Sequence, residues 1–153
     1  MKRGLDKLFN FLLCLLAVSL VAFIGSLFTN LGAWYYSIRP SITPPNWVFP
    51  VVWNILFILI AISLYLALES SEKRMKRKIL VAFGVNFFLN ILWSFLFFTL
   101  QSPLWGFVDI LLMIASIIWM IVVTRKVNMT SAVLLVPYLL WVMFASIINL
   151  LSI

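Results

Sequence analysis

Long apolar runs alternate with short polar segments along the whole chain. Five runs are long enough to cross a bilayer as a helix, which takes about 20 residues: 8–31, 47–68, 79–101, 104–124 and 130–152. The pattern predicts an all-α membrane protein in which residues 1–153 form one transmembrane domain, a bundle of five helices. The first run is too long for a signal peptide, and no clear cleavage site follows it, so we expect it to be retained.

The basic residues are distributed unequally between the segments that join these runs. Ten of the 11 lie before the first run, between the second and third, or between the fourth and fifth: Lys2, Arg3, Lys7, Lys73, Arg74, Lys76, Arg77, Lys78, Arg125 and Lys126. The remaining one is Arg39, between the first and second runs. Because Lys and Arg are retained on the cytoplasmic side, this alternation places the N-terminus in the cytoplasm and the C-terminus outside.

The composition narrows the class of protein further. The chain is 65% hydrophobic and 10% charged, whereas about a quarter of the residues in a soluble domain are charged. The membrane flanks account for the net charge of +7, so we expect membrane lipids and no nucleic acid as partners. With no histidine and with Cys14 as the one cysteine, the sequence offers no metal site and indicates no required cofactor. Without an organelle-targeting signal, we expect a prokaryotic plasma membrane.

Prolines and small polar residues mark the predicted helix ends. Asn46 follows two prolines and can cap the second helix, and Ser102 can cap the fourth, just before Pro103. Pro137 lies well inside the fifth run. We expect it to free the carbonyl of Val133 and to bend the helix there.

Polar side chains within the spans mark two helix faces. Helical spacing brings two sets of side chains onto one face each: Asn86, Asn90, Ser94 and Phe97 in the third run, and Tyr138, Trp141, Ala145 and Asn149 in the fifth. Trp93 lies beside the first of these faces. Polar side chains are costly in lipid, so such a face indicates either a ligand site or hydrogen bonding between helices, and both interpretations stay open.

Asp109 is the only acidic residue within a predicted span, about two turns into the fourth helix. A buried carboxylate needs a partner or a proton. Arg39 is the one cation on the predicted outer side of the membrane. We therefore hypothesise that Asp109 pairs with polar groups beneath the first loop (residues 32–46), with Arg39 as one candidate.

The first loop and the helix start behind it, WYYSIRPSITPPNWVFPVVWN, are rich in aromatic residues and proline. We predict that this segment forms a stiff lid over a cavity in the outer half of the membrane. The predicted lid residues are Trp34, Arg39, Pro44, Pro45 and Trp47. Trp53, Phe97 and Trp141 can converge beneath the lid, which suits a large, flat, mostly apolar ligand. The alternative for the lid tryptophans is the aromatic belt found at membrane interfaces.

Three segments, WYYSIRPSITPPNWVFPVVWNILF, NFFLNILWSFLFF and VPYLLWVMFASIIN, resemble in this order the translocator protein family, also called the tryptophan-rich sensory protein or peripheral benzodiazepine receptor family. The resemblance implies a five-helix bundle, usually a homodimer, that binds porphyrins and synthetic ligands of the benzodiazepine and isoquinoline-carboxamide types. The ligand-binding residues it implies are Tyr35, Trp53, Asn86, Asn90, Phe97, Trp141 and Ala145, with Asp109 at the family's acidic position. Without a histidine as axial ligand, protoporphyrin is at least as good a candidate as haem.

Four functions remain open. The first is a receptor or carrier for tetrapyrroles, linked to their handling or to stress sensing. The second, implied by the resemblance, is light-dependent degradation of porphyrin at Trp53 and Trp141. Because the chain offers no nucleophile–base pair, such catalysis would have to come from the excited porphyrin itself. The third is a secondary transporter, although no inverted repeat is visible. The fourth is a scaffold whose second loop meets a cytoplasmic partner.

Ile42 and Pro50 depart from the family pattern, and no basic residue of a cholesterol motif follows Tyr138.

Overall fold

Helices make up most of the chain. A computed structural model describes the backbone of residues 2–153 and the side chains from Gly4 onward; the side chains of Lys2 and Arg3, which enter the charge distribution, lie outside that description. The described part is 82% helical and has no strands. The elements are α1 (Lys2–Phe28), α2 (Ala33–Ile38), α3 (Val48–Glu69), α4 (Lys73–Ser94), a π-helix (Phe95–Thr99), α5 (Pro103–Thr124), α6 (Met129–Leu134) and α7 (Val136–Leu150).

Five helical stretches of the described chain are long and apolar enough to cross a membrane: Gly4–Phe28, Val48–Glu69, Lys73–Thr99, Pro103–Thr124 and Met129–Leu150. The predicted all-α fold with five spans is confirmed, and the orientation of the termini stays a prediction. The third span begins at Lys73 rather than near residue 79 because Lys and Arg are good helix formers and extend α4 beyond its apolar part. The first span ends at Phe28, before residue 31.

The spans form a closed ring around a narrow core. α1 packs against α3 and α4, α4 packs against α5, α5 packs against α7, and α6 packs against α3. The core contains fully buried side chains from all five spans, among them Val18, Ile60, Phe83, Ile117 and Tyr138. Many large apolar side chains face outward, which is the arrangement expected of a bundle whose solvent is lipid.

Of the two predicted helix caps, Asn46 is wrong and Ser102 is confirmed in position. α3 begins after Trp47, and the side-chain amide of Asn46 instead donates to the hydroxyl of Tyr36 at 2.8 Å. Ser102 does occupy the N-cap position of α5, with Pro103 in the first turn, but its side chain makes no capping hydrogen bond. Its carbonyl accepts the backbone N–H of Gly106 at 3.0 Å, so the first turn closes through the backbone alone.

The fifth span is interrupted where the sequence predicts a bend. α6 ends at Leu134 and α7 begins at Val136, immediately before Pro137. The backbone N–H of Leu135 bonds to the carbonyl of Ala132 at 3.2 Å, a tighter turn than that of an α-helix. The expectation that Val133 would lose its partner is wrong, because its carbonyl accepts a backbone N–H at the cap of α6.

Two local elements near the first loop were not predicted. The loop itself contains the short helix α2, and α4 ends in a π-helix in which the N–H of Leu100 bonds to the carbonyl of Phe95 at 2.9 Å. A π-helix widens the last turns of its span, and such turns are frequent at functional sites. Here the widened turn carries Phe97 and Phe98 toward the middle of the bundle.

Candidate ligand-binding cavity

A cavity of about 330 Å³ lies inside the bundle at the end covered by the first loop. Every span contributes to its wall. α1 supplies Val21, Ala22, Gly25 and Ser26; the residues between α1 and α3 supply Thr29, Leu31, Tyr35, Thr43 and Asn46; α3 supplies Phe49, Pro50, Trp53 and Phe57; α4 and the π-helix supply Asn90, Trp93, Ser94, Phe97 and Phe98; α5 and α7 supply Ile110, Met113, Trp141, Val142, Ala145, Ile148 and Asn149. The wall is mostly apolar and aromatic, with a few amides and hydroxyls.

Most of the predicted ligand-binding residues lie on this wall, but not all of them. Those on the wall are Tyr35, Trp53, Asn90, Phe97, Trp141 and Ala145. Asn86 and Asp109 do not line the cavity. Asn86 lies one turn deeper than Asn90, below the floor, and Asp109 is buried in the packing around α5. The ligand-binding role of all eight stays a prediction.

Aromatic rings cover two sides of the cavity. On the α4 side the rings of Trp93 and Phe97 are stacked, with centroids 5.1 Å apart and planes 17° apart. Trp34 contacts Phe97 edge-on at 5.6 Å from behind, and so supports the wall without forming it. On the opposite side Phe49 meets Trp141 edge-on at 5.9 Å. A flat ligand between these sides would meet aromatic faces, which favour stacking.

A chain of hydrogen bonds runs from the cavity into the core. The side-chain amide of Asn90 donates to the hydroxyl of Tyr138 at 3.3 Å, and that hydroxyl donates to Oδ1 of Asn86 at 3.1 Å. The amide of Asn86 then donates to Oγ of Ser116 at 2.8 Å, and Ser116 donates to the carbonyl of Met113 at 2.7 Å. The chain joins α4, α7 and α5, so Asn86 serves helix packing and Asn90 is the member that reaches the cavity.

A second set of hydrogen bonds joins α4, α7 and α5 beside the cavity. The indole N–H of Trp93 donates to Oδ1 of Asn149 at 3.0 Å, and the amide of Asn149 donates to the carbonyl of Pro103 at 2.7 Å. Both side chains line the cavity, although neither is among the predicted ligand-binding residues. Their positions on the two polar helix faces carried the signal that could have identified them.

The wall formed by α1 was also missed. Ala22, Gly25 and Ser26 line the cavity, and a methyl group added to Gly25 would lie 3.6 Å from Oγ of Ser94. The signal in the sequence was a short group of small residues in an otherwise bulky span. Small residues let neighbouring helices approach closely in membranes, and here they also leave space beside the aromatic rings.

The first loop is held together by its own hydrogen bonds. The guanidinium of Arg39 donates to the carbonyls of Thr43 at 3.3 Å and Pro44 at 2.7 Å. Tyr35 is buried against the cavity, and burial raises the pKa of its phenol, so the group is neutral near pH 7. Among the predicted lid residues, none of the five lines the cavity: Trp34, Arg39, Pro44, Pro45 and Trp47. Trp47 is 68% exposed, as expected of an interfacial residue.

The predicted pairing of Asp109 with Arg39 is not found. Within the described chain, both carboxyl oxygens of Asp109 are buried without a hydrogen-bond partner, and the guanidinium of Arg39 faces the loop carbonyls instead. The described residues also contain no group of three His, Cys, Asp or Glu side chains that could hold a metal ion. The cavity therefore presents aromatic faces, amides and hydroxyls to a ligand.

A sequence model of the TspO/MBR family matches residues 12–152. The chain belongs to the TspO/MBR family. It is 42% identical over 141 residues to the tryptophan-rich protein TspO of Chlorobaculum tepidum, covering 90% of this chain and 89% of the relative. It is 41% identical to the tryptophan-rich protein TspO of Archaeoglobus fulgidus, over 88% of this chain and 89% of that one. The human translocator protein is 32% identical, over 88% of this chain and 82% of its own. With its five spans, this TspO/MBR protein is an integral membrane protein.

Proposed function

We propose that this TspO/MBR protein is a membrane receptor or carrier that binds a flat tetrapyrrole, with protoporphyrin as the first candidate and haem as the second. The observation that carries the proposal is the cavity with aromatic rings on two sides and a few amides between them. Porphyrin faces stack on such rings, and its polar groups suit the amide of Asn90, which reaches the cavity. Synthetic ligands of the benzodiazepine and isoquinoline-carboxamide types would use the same surfaces.

Protoporphyrin titration of the purified protein in the dark tests this proposal. The porphyrin absorbance band is followed for wild type, Trp53→Ala and Trp141→Ala. Loss of one stacked ring, worth roughly 1 kcal/mol beyond its buried area, is expected to weaken binding by about tenfold. Trp119→Ala is the matched control, because Trp119 is 40% exposed and does not line the cavity. Equal affinity in all four proteins, or no saturable binding by wild type, contradicts the proposal.

Light-dependent degradation of bound porphyrin is the second candidate. The observation that favours it is that Trp53 and Trp141 both line the cavity, where the excited porphyrin can take an electron from either indole, with dissolved oxygen as the oxidant that the degradation consumes. Illumination of the saturated complex is expected to consume porphyrin faster than illumination of free porphyrin. Trp53→Phe and Trp141→Phe keep an aromatic ring and should remove that difference. Equal rates with and without protein would exclude the reaction.

We also propose a prokaryotic plasma membrane as the location and a homodimer as the working unit. The TspO proteins of Chlorobaculum tepidum and Archaeoglobus fulgidus, to which the chain is more than 40% identical, come from prokaryotes and support the location. The outward-facing apolar surface leaves room for a second copy within the bilayer. Membrane fractionation tests the location, and light scattering of the detergent-purified protein tests the dimer.

A further inference from the structure

An apolar groove runs along the lipid-facing side of the bundle between α3 and α7. Its lining consists of Val52, Ile55, Leu56, Pro137, Leu140, Trp141 and Phe144. All of these side chains are apolar, and Leu140 and Ile55 are among the exposed ones. The groove therefore faces the acyl chains of the bilayer.

Trp141 is common to the groove and to the cavity. Its ring contacts Phe49 at 5.9 Å and Phe144 at 5.7 Å, and neither contact is a hydrogen bond. Trp93 on the opposite wall differs, because its indole N–H is fixed to Asn149. Trp141 thus separates the cavity from the lipid, and aromatic packing is what holds it in place.

The break in the fifth span divides its contact with α3 into a fixed part at α6 and a looser part at α7. Ser63 of α3 and Ser131 of α6 are both fully buried, and each hydroxyl donates to the carbonyl of the other residue, at 2.8 and 2.7 Å. Past Leu135 the span continues as α7, which makes far less contact with α3 than α6 does. α6 is therefore fastened to α3, whereas α7 can tilt away from α3 at the break.

We propose that this groove is the membrane-side entrance to the cavity and that the side chain of Trp141 is its gate. The inference rests on the proposed function. The occupant of the groove is the same flat apolar ligand, which reaches the groove while dissolved in the bilayer. The cavity volume of about 330 Å³ lies at the lower end of the usual 300–1,000 Å³ range for ligand sites. Entry of a molecule as wide as a tetrapyrrole therefore requires part of the wall to move aside and then return, and the wall between α3 and α7 is the part with an open groove directly behind it.

Plugging the groove from the lipid side tests the entrance. Ile55→Trp and Leu140→Trp, made separately, fill the groove without altering a residue of the cavity wall. Ile58→Trp is the matched control, because Ile58 is 51% exposed, close to the 54% of Ile55, and lies outside the groove. Ser26→Trp tests the competing route, since Ser26 is an exposed cavity residue on α1.

The expected result is a change in rates rather than in affinity. With protoporphyrin in proteoliposomes, each plug should slow association and dissociation roughly tenfold and leave Kd within about threefold, because the bound state is unchanged. The control should match wild type in both rates. Wild-type rates in both plugged variants, or slowing by Ser26→Trp alone, would overturn the entrance.

A second readout does not depend on porphyrin. In a Cys14→Ala background, Ala145→Cys places a thiol on the cavity wall, and pyrene maleimide dissolved in the bilayer labels it. The Ile55→Trp plug should slow this labelling, and the Ile58→Trp control should not. If wild type fails to bind protoporphyrin, the proposed function is wrong, yet slowed labelling would still support the entrance. Labelling at equal rates would refute the entrance whatever the ligand.

Discussion

The indole N–H of Trp93 donates to Oδ1 of Asn149 at 3.0 Å, and this bond joins α4 to the end of α7 beside the cavity. Asn149 uses its other end as well, because its amide donates to the carbonyl of Pro103 at the start of α5. One side chain, only 1% exposed, therefore ties three spans together at the end of the bundle that holds the cavity.

Asn149→Ala is expected to destabilise the bundle by about 2–4 kcal/mol, because it leaves a buried indole N–H and a backbone carbonyl without partners. Thermal unfolding in detergent micelles measures the change. Asn54→Ala is the control, since Asn54 is exposed and bonds only within α3, to the carbonyl of Pro50. Equal shifts in the two variants would mean that the bonds of Asn149 contribute little.

Gly106 packs directly against this junction. A methyl group added at Gly106 would lie 3.0 Å from Oδ1 of Asn149 and 3.2 Å from the ring of Phe97. Gly106→Ala should therefore displace both side chains, cost about 1–3 kcal/mol and weaken protoporphyrin binding. Gly84→Ala, which meets nothing within 4 Å, should be neutral or stabilising by up to about 1 kcal/mol. Wild-type stability and affinity in Gly106→Ala would contradict this packing.

The spans could be predicted from the sequence because lipid imposes a minimum length of apolar helix. The π-helix and α2 could not. The six residues of α2 are too few to form a stable helix alone, and burial of Tyr35 against the cavity supports them. The π-helix depends on how the end of α4 packs against its neighbours, which helical periodicity does not report.

For the candidate site, the sequence predicts which helix faces point inward but not how far along the bundle the cavity extends. Helical spacing correctly assigns Asn86 and Asn90 to one inward face, yet only Asn90 reaches the cavity, because the cavity occupies one end of the bundle. The sequence likewise identifies Asp109 as an intramembrane carboxyl, but it cannot show that the guanidinium of Arg39 donates its hydrogen bonds to carbonyls of its own loop. Such contacts depend on loop conformation.

Asp109 offers a further test of the packing. Both of its carboxyl oxygens are buried without a partner in the described chain, so no ion pair is lost when the carboxyl group is replaced by an amide. Asp109→Asn should leave the free energy of unfolding within about 1 kcal/mol of wild type, whereas breaking a buried ion pair costs about 3–5 kcal/mol. Chemical unfolding in mild detergent distinguishes the two, with exposed Asp6→Asn as the control. A large loss would indicate a hidden cationic partner.

Arg39 should govern the first loop rather than the bundle. Its guanidinium donates to two loop carbonyls and lies 6.0 Å from the centroid of the Tyr35 ring. Arg39→Ala should make the loop more sensitive to protease and speed release of protoporphyrin, while the bundle loses no more than about 1 kcal/mol. Arg74→Ala, exposed at the start of α4, is the charge-matched control. Unchanged proteolysis would show that other contacts hold the loop.

The charge distribution predicts that the first loop, and with it the cavity end of the bundle, faces away from the cytoplasm. In a Cys14→Ala background, Ser41→Cys and Glu72→Cys place exposed thiols on the first and second loops, at opposite ends of the bundle. A membrane-impermeant maleimide applied to intact cells should label Ser41→Cys at once and Glu72→Cys only after the cells are opened. The opposite pattern would reverse the topology, and labelling of both in intact cells would mean that the chain inserts in two orientations. Because ten of the 11 basic residues lie on one predicted side, we expect a single orientation, with the cavity end of the bundle on the outer side.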